Sequence, residues 1–299
     1  MASTKLSRSC KAFLLINCWL VSHVLLRGQT TSAIVDRQFG SFDDAVSVSV
    51  SANGDLMVLD AGKNQLLQFS QAGEVVKMIG GRGWGDLEFD SPTDISANIG
   101  LNVYIADYNN RRVQRFDRKM NFVQSITADN IVPALSGSFY PRAVALSTQG
   151  ELFVVESDGR RILKFDPAQH MEREFGGFNA GDGALTNPRD IAVAPDGKVI
   201  VLDNKRVVEF DTYANFLLSF QIDSLSVCSS VCLTATGVLV VGPEKILAYS
   251  FSGEKKFELS GQSLVGIQSP EEFRDVGVFG STLFILTRHS IIVTKVVSQ

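Results

Sequence analysis

Histidine and cysteine are scarce in this chain, at three and four of 299 residues. Cys10 and Cys18 fall in an apolar N-terminal stretch, which leaves Cys228 and Cys232 for a mature protein. On one extended strand, cysteines four positions apart hold their Cα atoms roughly 13 Å apart, beyond the ~7 Å that a disulfide tolerates. Two separate buried thiols are expected, and no nearby histidine completes a metal site. The histidines outside the N-terminal stretch, His170 and His289, have no visible Ser or Cys partner, which argues against nucleophilic catalysis. Basic residues are not in excess: the formal charge is −4 and the pI about 5.5, leaving no broad cationic field, so nucleic acid is not an expected partner. The N-terminal apolar run is also short of the ~20 residues that span a bilayer and is interrupted by Asn17, Ser22 and His23.

That N-terminal run has an order of its own. Lys5, Arg8 and Lys11 precede "AFLLINCWLVSHVLL", and the small residues "TTSA" end at Ala33. A basic region, an apolar core and a small-residue cleavage site make a secretory signal peptide over residues 1–33. Export is therefore expected, to the periplasm or outside the cell.

From residue 34 the chain is a repeat. The segments "AVSVSVSANGDLMVLDAGKNQLLQFS", "PTDISANIGLNVYIADYNNRRVQRFD", "PRAVALSTQGELFVVESDGRRILKFD", "PRDIAVAPDGKVIVLDNKRVVEFD", "CSSVCLTATGVLVVGPEKILAYS" and "FRDVGVFGSTLFILTRHSIIVTKV" align as six copies. Each has an alternating strand, a glycine-type corner and a more apolar strand. The second strand ends at Asp60, Asp107, Glu156, Asp203, Pro243 or Arg288, at intervals of 40 to 49 residues. A third strand follows with an aromatic near its end at Phe69, Phe116, Phe165, Phe210 or Tyr249, and then a fourth such as "EVVKMIG" or "FLLSF". Four strands in about 45 residues is a propeller blade. The expected fold is all-β: a six-bladed β-propeller of four-stranded antiparallel blades over residues 34–299. The last copy lacks a fourth strand, while "VDRQFG" at 35–40 matches "EREFGG" at 172–177. The N-terminal strand, Ile34 to Phe39, is thus expected to pair with Ile291 to Val297 and close the ring, removing an open edge.

The glycine-rich stretch "GGRGWGDLEFDSPTDI" at 80–95 could pass for a phosphate cradle, but no helix follows to receive the anion. It returns as "GGFNAGDGALTNPRDI" at 176–191, with the same surroundings. It therefore reads as a joint between blades, with Gly80, Gly81, Gly83 and Gly85 supplying positive φ and Trp84 exposed at the tip.

"IADYNNRRVQRFD", "VESDGRRILKFD" and "PRDIAVAPDGKVIVLD" resemble NHL repeats, which place a proline before the first strand, an acid after the second and an Asn-x-Arg-type turn before the third. The match is strong in blades two to four and weak in five and six, where Pro243 and Arg288 replace the acid. The resemblance implies a six-bladed propeller and a non-catalytic binding scaffold, which together with the leader reading gives an exported scaffold with a protein or envelope glycan partner. NHL-like amidating lyases hold zinc through several histidines, a pattern that two distant histidines do not reproduce. A metal-assisted hydrolase or lactonase of the six-bladed type, with acidic ligands over the channel, is the alternative.

Connectors and the turns after the second strands share one rim. Trp84, Tyr108, Phe178 and the pairs Arg111–Arg112 and Arg160–Arg161 are therefore candidate partner-binding residues, of the types enriched at interface centres. The column two residues after the proline position reads Ser47, Asp94, Ala143, Asp190, Ser230, Asp275. Its three carboxylates, with Arg189 and Arg274 beside two of them, are placed at the mouth of the central channel. There they either accept backbone hydrogen bonds from the next blade or hold a hydrated Ca²⁺, which favours oxygen ligands.

Overall fold

The structure, a computed structural model, describes residues 32–99, 101–131, 139–267 and 271–297. Nearly all of the expected leader lies outside the described residues. No helix among them is long and apolar enough to cross a membrane.

The repeat folds as its period requires. Six sheets follow one another along the chain, five of them antiparallel in simple up-and-down order and the sixth completed by the N-terminal strand. Blade two is representative, with strands Pro92–Ser96, Asn102–Asp107, Arg112–Asp117 and Phe122–Thr127 running from the channel outwards. A second strand such as Leu56–Asp60 is buried at every position because neighbouring blades cover both of its faces, hence its unbroken apolar sequence. Outer strands such as Val75–Gly80 have much of their surface in solvent and mix polar with apolar side chains.

The core is divided among the contacts between blades. One apolar cluster packs Val48 and Phe69 of blade one against Phe284 and Leu286 of blade six. Another packs Tyr104 and Val113 of blade two against Val144 and Leu163 of blade three. Phe69, Phe116, Phe165 and Phe210 are fully buried, as expected of aromatics that key one sheet against the next.

The ring closes with strands from both ends of the propeller. Ser32–Phe39 pairs antiparallel with Ile291–Val297, from Ser32 opposite Val297 to Phe39 opposite Ile291, with a bulge between Val35 and Arg37. Two details go beyond the expectation. The strand starts at Ser32, and Ala33 is fully buried, so the pairing uses two residues that the leader reading assigns to the removed segment. The short strand Leu264–Val265 also lies parallel to Ser32–Phe39, giving the closing blade a fifth strand.

The glycine joint also differs in detail. Gly80 and Gly81 have φ of 118° and 139°, the left-handed region that glycine tolerates. Gly83 and Gly85 are not in that region. They leave room for the Glu88 side chain: a Cβ on Gly83 would meet Glu88 Oε2 at 2.1 Å, and that oxygen accepts the Gly85 N–H at 2.9 Å.

Candidate functional site

The acids ending the second strands organise the connector face. Asp60 accepts the Asp43 and Asp44 N–H groups from the incoming connector, both at 3.0 Å, and the Gly62 N–H from its own turn. Asp203 does the same with Thr186 and Asn187, and Glu156 with Asp158 and Gly159. Each acid therefore fastens a connector or a turn, a structural use that the repeat made legible. In blade six the register places Thr287, not Arg288, at this position: Thr287 pairs with Phe273, and its hydroxyl accepts the Ser290 N–H.

Two of the candidate arginines belong to this framework. Arg112 is buried, its Nε donating to Asp107 at 2.8 Å and its guanidinium donating to the carbonyl oxygens of Trp84, Gly85 and Glu88. It props up the connector from beneath and offers a partner little surface. Arg161 is similarly engaged, 3.3 Å from Glu156 and 2.7 Å from Glu174. Both are corrections to the expectation of exposed arginine pairs, and both follow from placing a fork of donors beside carboxylates and turn carbonyls.

The remaining rim residues do reach solvent. Trp84 is 71% and Phe178 92% exposed, and Arg111 and Arg160, in the second-strand turns of blades two and three, are exposed as well. Tyr108 is half-buried and stacks on Tyr140 at 5.3 Å between ring centroids, with Arg111 over the same Tyr140 ring at 4.8 Å. Connector ends and second-strand turns share this face, as shown by Pro92 pairing with Asp107 and Gly80 with Gln65.

The central column lines the channel as the alignment requires. Ser47, Asp94, Asp190 and Asp275 border both a cavity of about 480 Å³ at the connector face and one of about 200 Å³ on the other side. Each aspartate reaches across to the next inner strand: Asp94 to the Val144 N–H at 2.7 Å, Asp190 to Val231 at 2.6 Å and Asp275 to Val48 at 2.7 Å. The second oxygen accepts from the Ser47 hydroxyl in Asp94, and from the following N–H in Asp190 and Asp275. The backbone reading thus accounts for all three carboxylates. Among the described residues no group of three or more His, Cys, Asp or Glu side chains is placed to hold a metal ion. Of the two readings of Asp94, Asp190 and Asp275, this placement supports the backbone one: each side chain is turned along the ring onto its neighbour.

Burial and mutual repulsion set the protonation of this ring. Burial chiefly raises Asp94 to about 7, opposed by the hydrogen bonds from Val144 and Ser47. Burial followed by the charges of Asp94 and Asp275 pushes Asp190 well above the usual carboxylate range, and burial raises Asp275. Cys228 is buried and Cys232 lines the channel, as unbridged thiols. Burial lifts Cys228 to about 11, and burial with the nearby Asp275 and Asp190 lifts Cys232 further.

Arg189 and Arg274 border the connector-face cavity, beside Asp190 and Asp275 in sequence but not bonded to them. Sequence reasoning missed their companion Arg142, which borders the same cavity. The signal was present in the position after the proline, which carries arginine in blades three, four and six. His170 is exposed, 3.2 Å from Asp166 in a turn, and His289 lies 2.9 Å from Glu271. Neither borders the two channel cavities.

Fold and repeat together define a six-bladed propeller built from NHL-like blades. The relatives agree. The chain is 30% identical over 141 residues to Protein brain tumor of Drosophila melanogaster, covering 44% of this chain and 12% of that protein. It is 26% identical over 137 residues to B-box type zinc finger protein ncl-1 of Caenorhabditis elegans, 45% of this chain and 15% of the relative. It is 29% identical over 80 residues to NHL repeat-containing protein 3 of Homo sapiens, 26% of this chain and 23% of the relative. The chain thus spans less than a quarter of each of these relatives. No protein-family model matches it. Among solved structures, virginiamycin B lyase from Staphylococcus aureus superposes with a TM-score of 0.62 at 12% identity, over 87% of this chain and 99% of the other. A catalytically inactive variant of the Staphylococcus aureus lyase with quinupristin gives 0.64 at 13%, with the same coverage. At these identities the likeness is one of fold.

Proposed function

We propose that the chain is an exported propeller that acts as a non-catalytic scaffold and binds a protein partner on its connector face. The observation that carries this reading is the exposure of Trp84 and Phe178 on that face, which also presents Arg111 and Arg160 to solvent. Large exposed aromatics with arginine are the anchors that protein interfaces favour. Similarity to a relative named for its NHL repeats supports the scaffold reading. The leader-like residues before the first strand support export, and leader removal that preserves ring closure would end before Ser32.

The test is capture of partners from medium and envelope fractions of the native source on immobilised protein, compared with Trp84→Ala/Phe178→Ala. The double variant should melt as the parent does and retain at least about tenfold less partner, since anchor residues typically contribute 2 kcal/mol or more each. Equal capture by the variant would remove the connector face from consideration. Calcium-dependent hydrolysis of lactone or ester substrates by the parent would replace the scaffold with the enzyme reading.

A further inference from the structure

The connector-face cavity has a charge pattern that the rim residues do not explain. Three arginines border it, Arg142, Arg189 and Arg274, each at the same place in its blade, directly after the residue that opens the innermost strand. All three are half-buried. Among the described residues Arg142 and Arg189 have no carboxylate within 4.0 Å, while Arg274 shares Asp44 with Arg288 at 3.8 and 3.3 Å. The Nε of Arg274 is buried without an acceptor. The aspartates below do not neutralise these cations, because their oxygens face along the ring onto backbone N–H groups. Burial also keeps the proton on that floor up to about neutral pH at Asp94.

Guanidinium groups such as those of Arg142 and Arg189, held at a concave site with no carboxylate beside them, are matched by oxyanions, which they bind with paired, charge-assisted hydrogen bonds. We infer that the connector-face mouth of the channel receives the carboxylates of an acidic peptide segment, with Arg142 and Arg189 as the groups that grip them. The inference rests on the scaffold reading and names the chemistry of the partner. Two features favour a peptide over a nucleic acid. Phe273, the aromatic residue bordering the cavity, is 1% exposed and offers no face for base stacking. Asp44 and Glu272 border the cavity too, which penalises a continuous polyanion but leaves room for one or two carboxylates. A volume of about 480 Å³ suits a few side chains inserted from a peptide lying across the mouth.

Selection of a random displayed dodecapeptide library on the full chain tests this, followed by fluorescence anisotropy of the selected peptides. Asp and Glu should be enriched, and Arg142→Ala/Arg189→Ala should bind the selected peptides at least about tenfold more weakly, the loss expected of charge-assisted bonds. Arg142→Lys/Arg189→Lys, which keeps the charge but loses the fork, should fall between; a double variant that fails to melt like the parent is replaced by this one. Acidic peptides that bind both double variants as well as the parent overturn the inference. Selected peptides without acids that depend on Trp84 also overturn it, yet leave the scaffold reading standing. Failure to enrich any peptide counts against both.

Discussion

At the scale of single residues, the side chains that matter most are those turned inwards. Arg112→Ala should destabilise the fold by about 3–5 kcal/mol in denaturant unfolding, because it leaves the fully buried Asp107 without its cation and removes the guanidinium that ties the Trp84, Gly85 and Glu88 carbonyls to the blade. Arg112→Lys should recover little, since an ammonium cannot reach four acceptors in one plane. A wild-type midpoint for Arg112→Ala would show that the connector holds itself. Asp94 makes a prediction about pH. In the unfolded chain its proton leaves near pH 4, while in the fold it is held to about 7. Its contribution to stability is fully present below the lower value and falls as pH rises towards the upper one. Thermal melts should therefore decline from pH 5 to 7, a window above that of the exposed carboxylates Asp117, Asp166 and Asp211, whose values are lowered. Asp94→Asn should lessen this decline without abolishing it, since Asp190 and Asp275 are raised too, and the Ser47 hydroxyl can rotate to accept from the new amide. A parent whose Tm rises across this window would refute the assignment.

The residue scale is also where the sequence was least legible. The aspartate column could be read down the repeat because blade register fixes where each side chain points. The direction of Arg112 could not, since "NNRRV" shows two adjacent arginines without showing that one folds beneath the connector and the other over Tyr140. Arg142 escaped notice because it adjoins Ala143, where the neighbouring column lacks the carboxylate that drew attention to Arg189 and Arg274.

Among elements, the strand Ser32–Phe39 has the largest consequence. Beyond its backbone pairing, Thr294 donates to the Ile34 carbonyl, Gln38 donates to Ser290, and Phe39 packs on Phe69 at 5.4 Å in blade one. Deleting residues 32–39 bares the edge of Ile291–Val297 and uncovers Ala33 and Phe39 contacts. It should lower stability by about 3 kcal/mol or more, and a melt like the parent's would mean that the ring does not need this latch. The pairing was legible because a fourth-strand sequence stood at the wrong end of the repeat. Leu264–Val265 was not, because two residues carry no alternation that pattern reading can detect.

For the whole molecule, six similar blades give a ring on which one face collects every connector, so a short motif copied around the repeat becomes a surface. The latch adds a temporal consequence. Ile34 and Thr294 are joined across 260 positions of sequence, so the strand that leaves the ribosome first among the blades cannot find its place until the last blade exists. Closing so long a loop carries an entropic cost that the nascent chain defers to the end, and non-local pairing of this kind slows folding. In the interval the early strand carries an uncovered edge, and the identical vacancy in a second nascent copy would accept it equally well. Latch and vacancy on different chains would then produce exchanged dimers. Refolding at rising protein concentration should trap such dimers, and a permutant that joins residue 297 to residue 32 and opens elsewhere should refold faster and free of them.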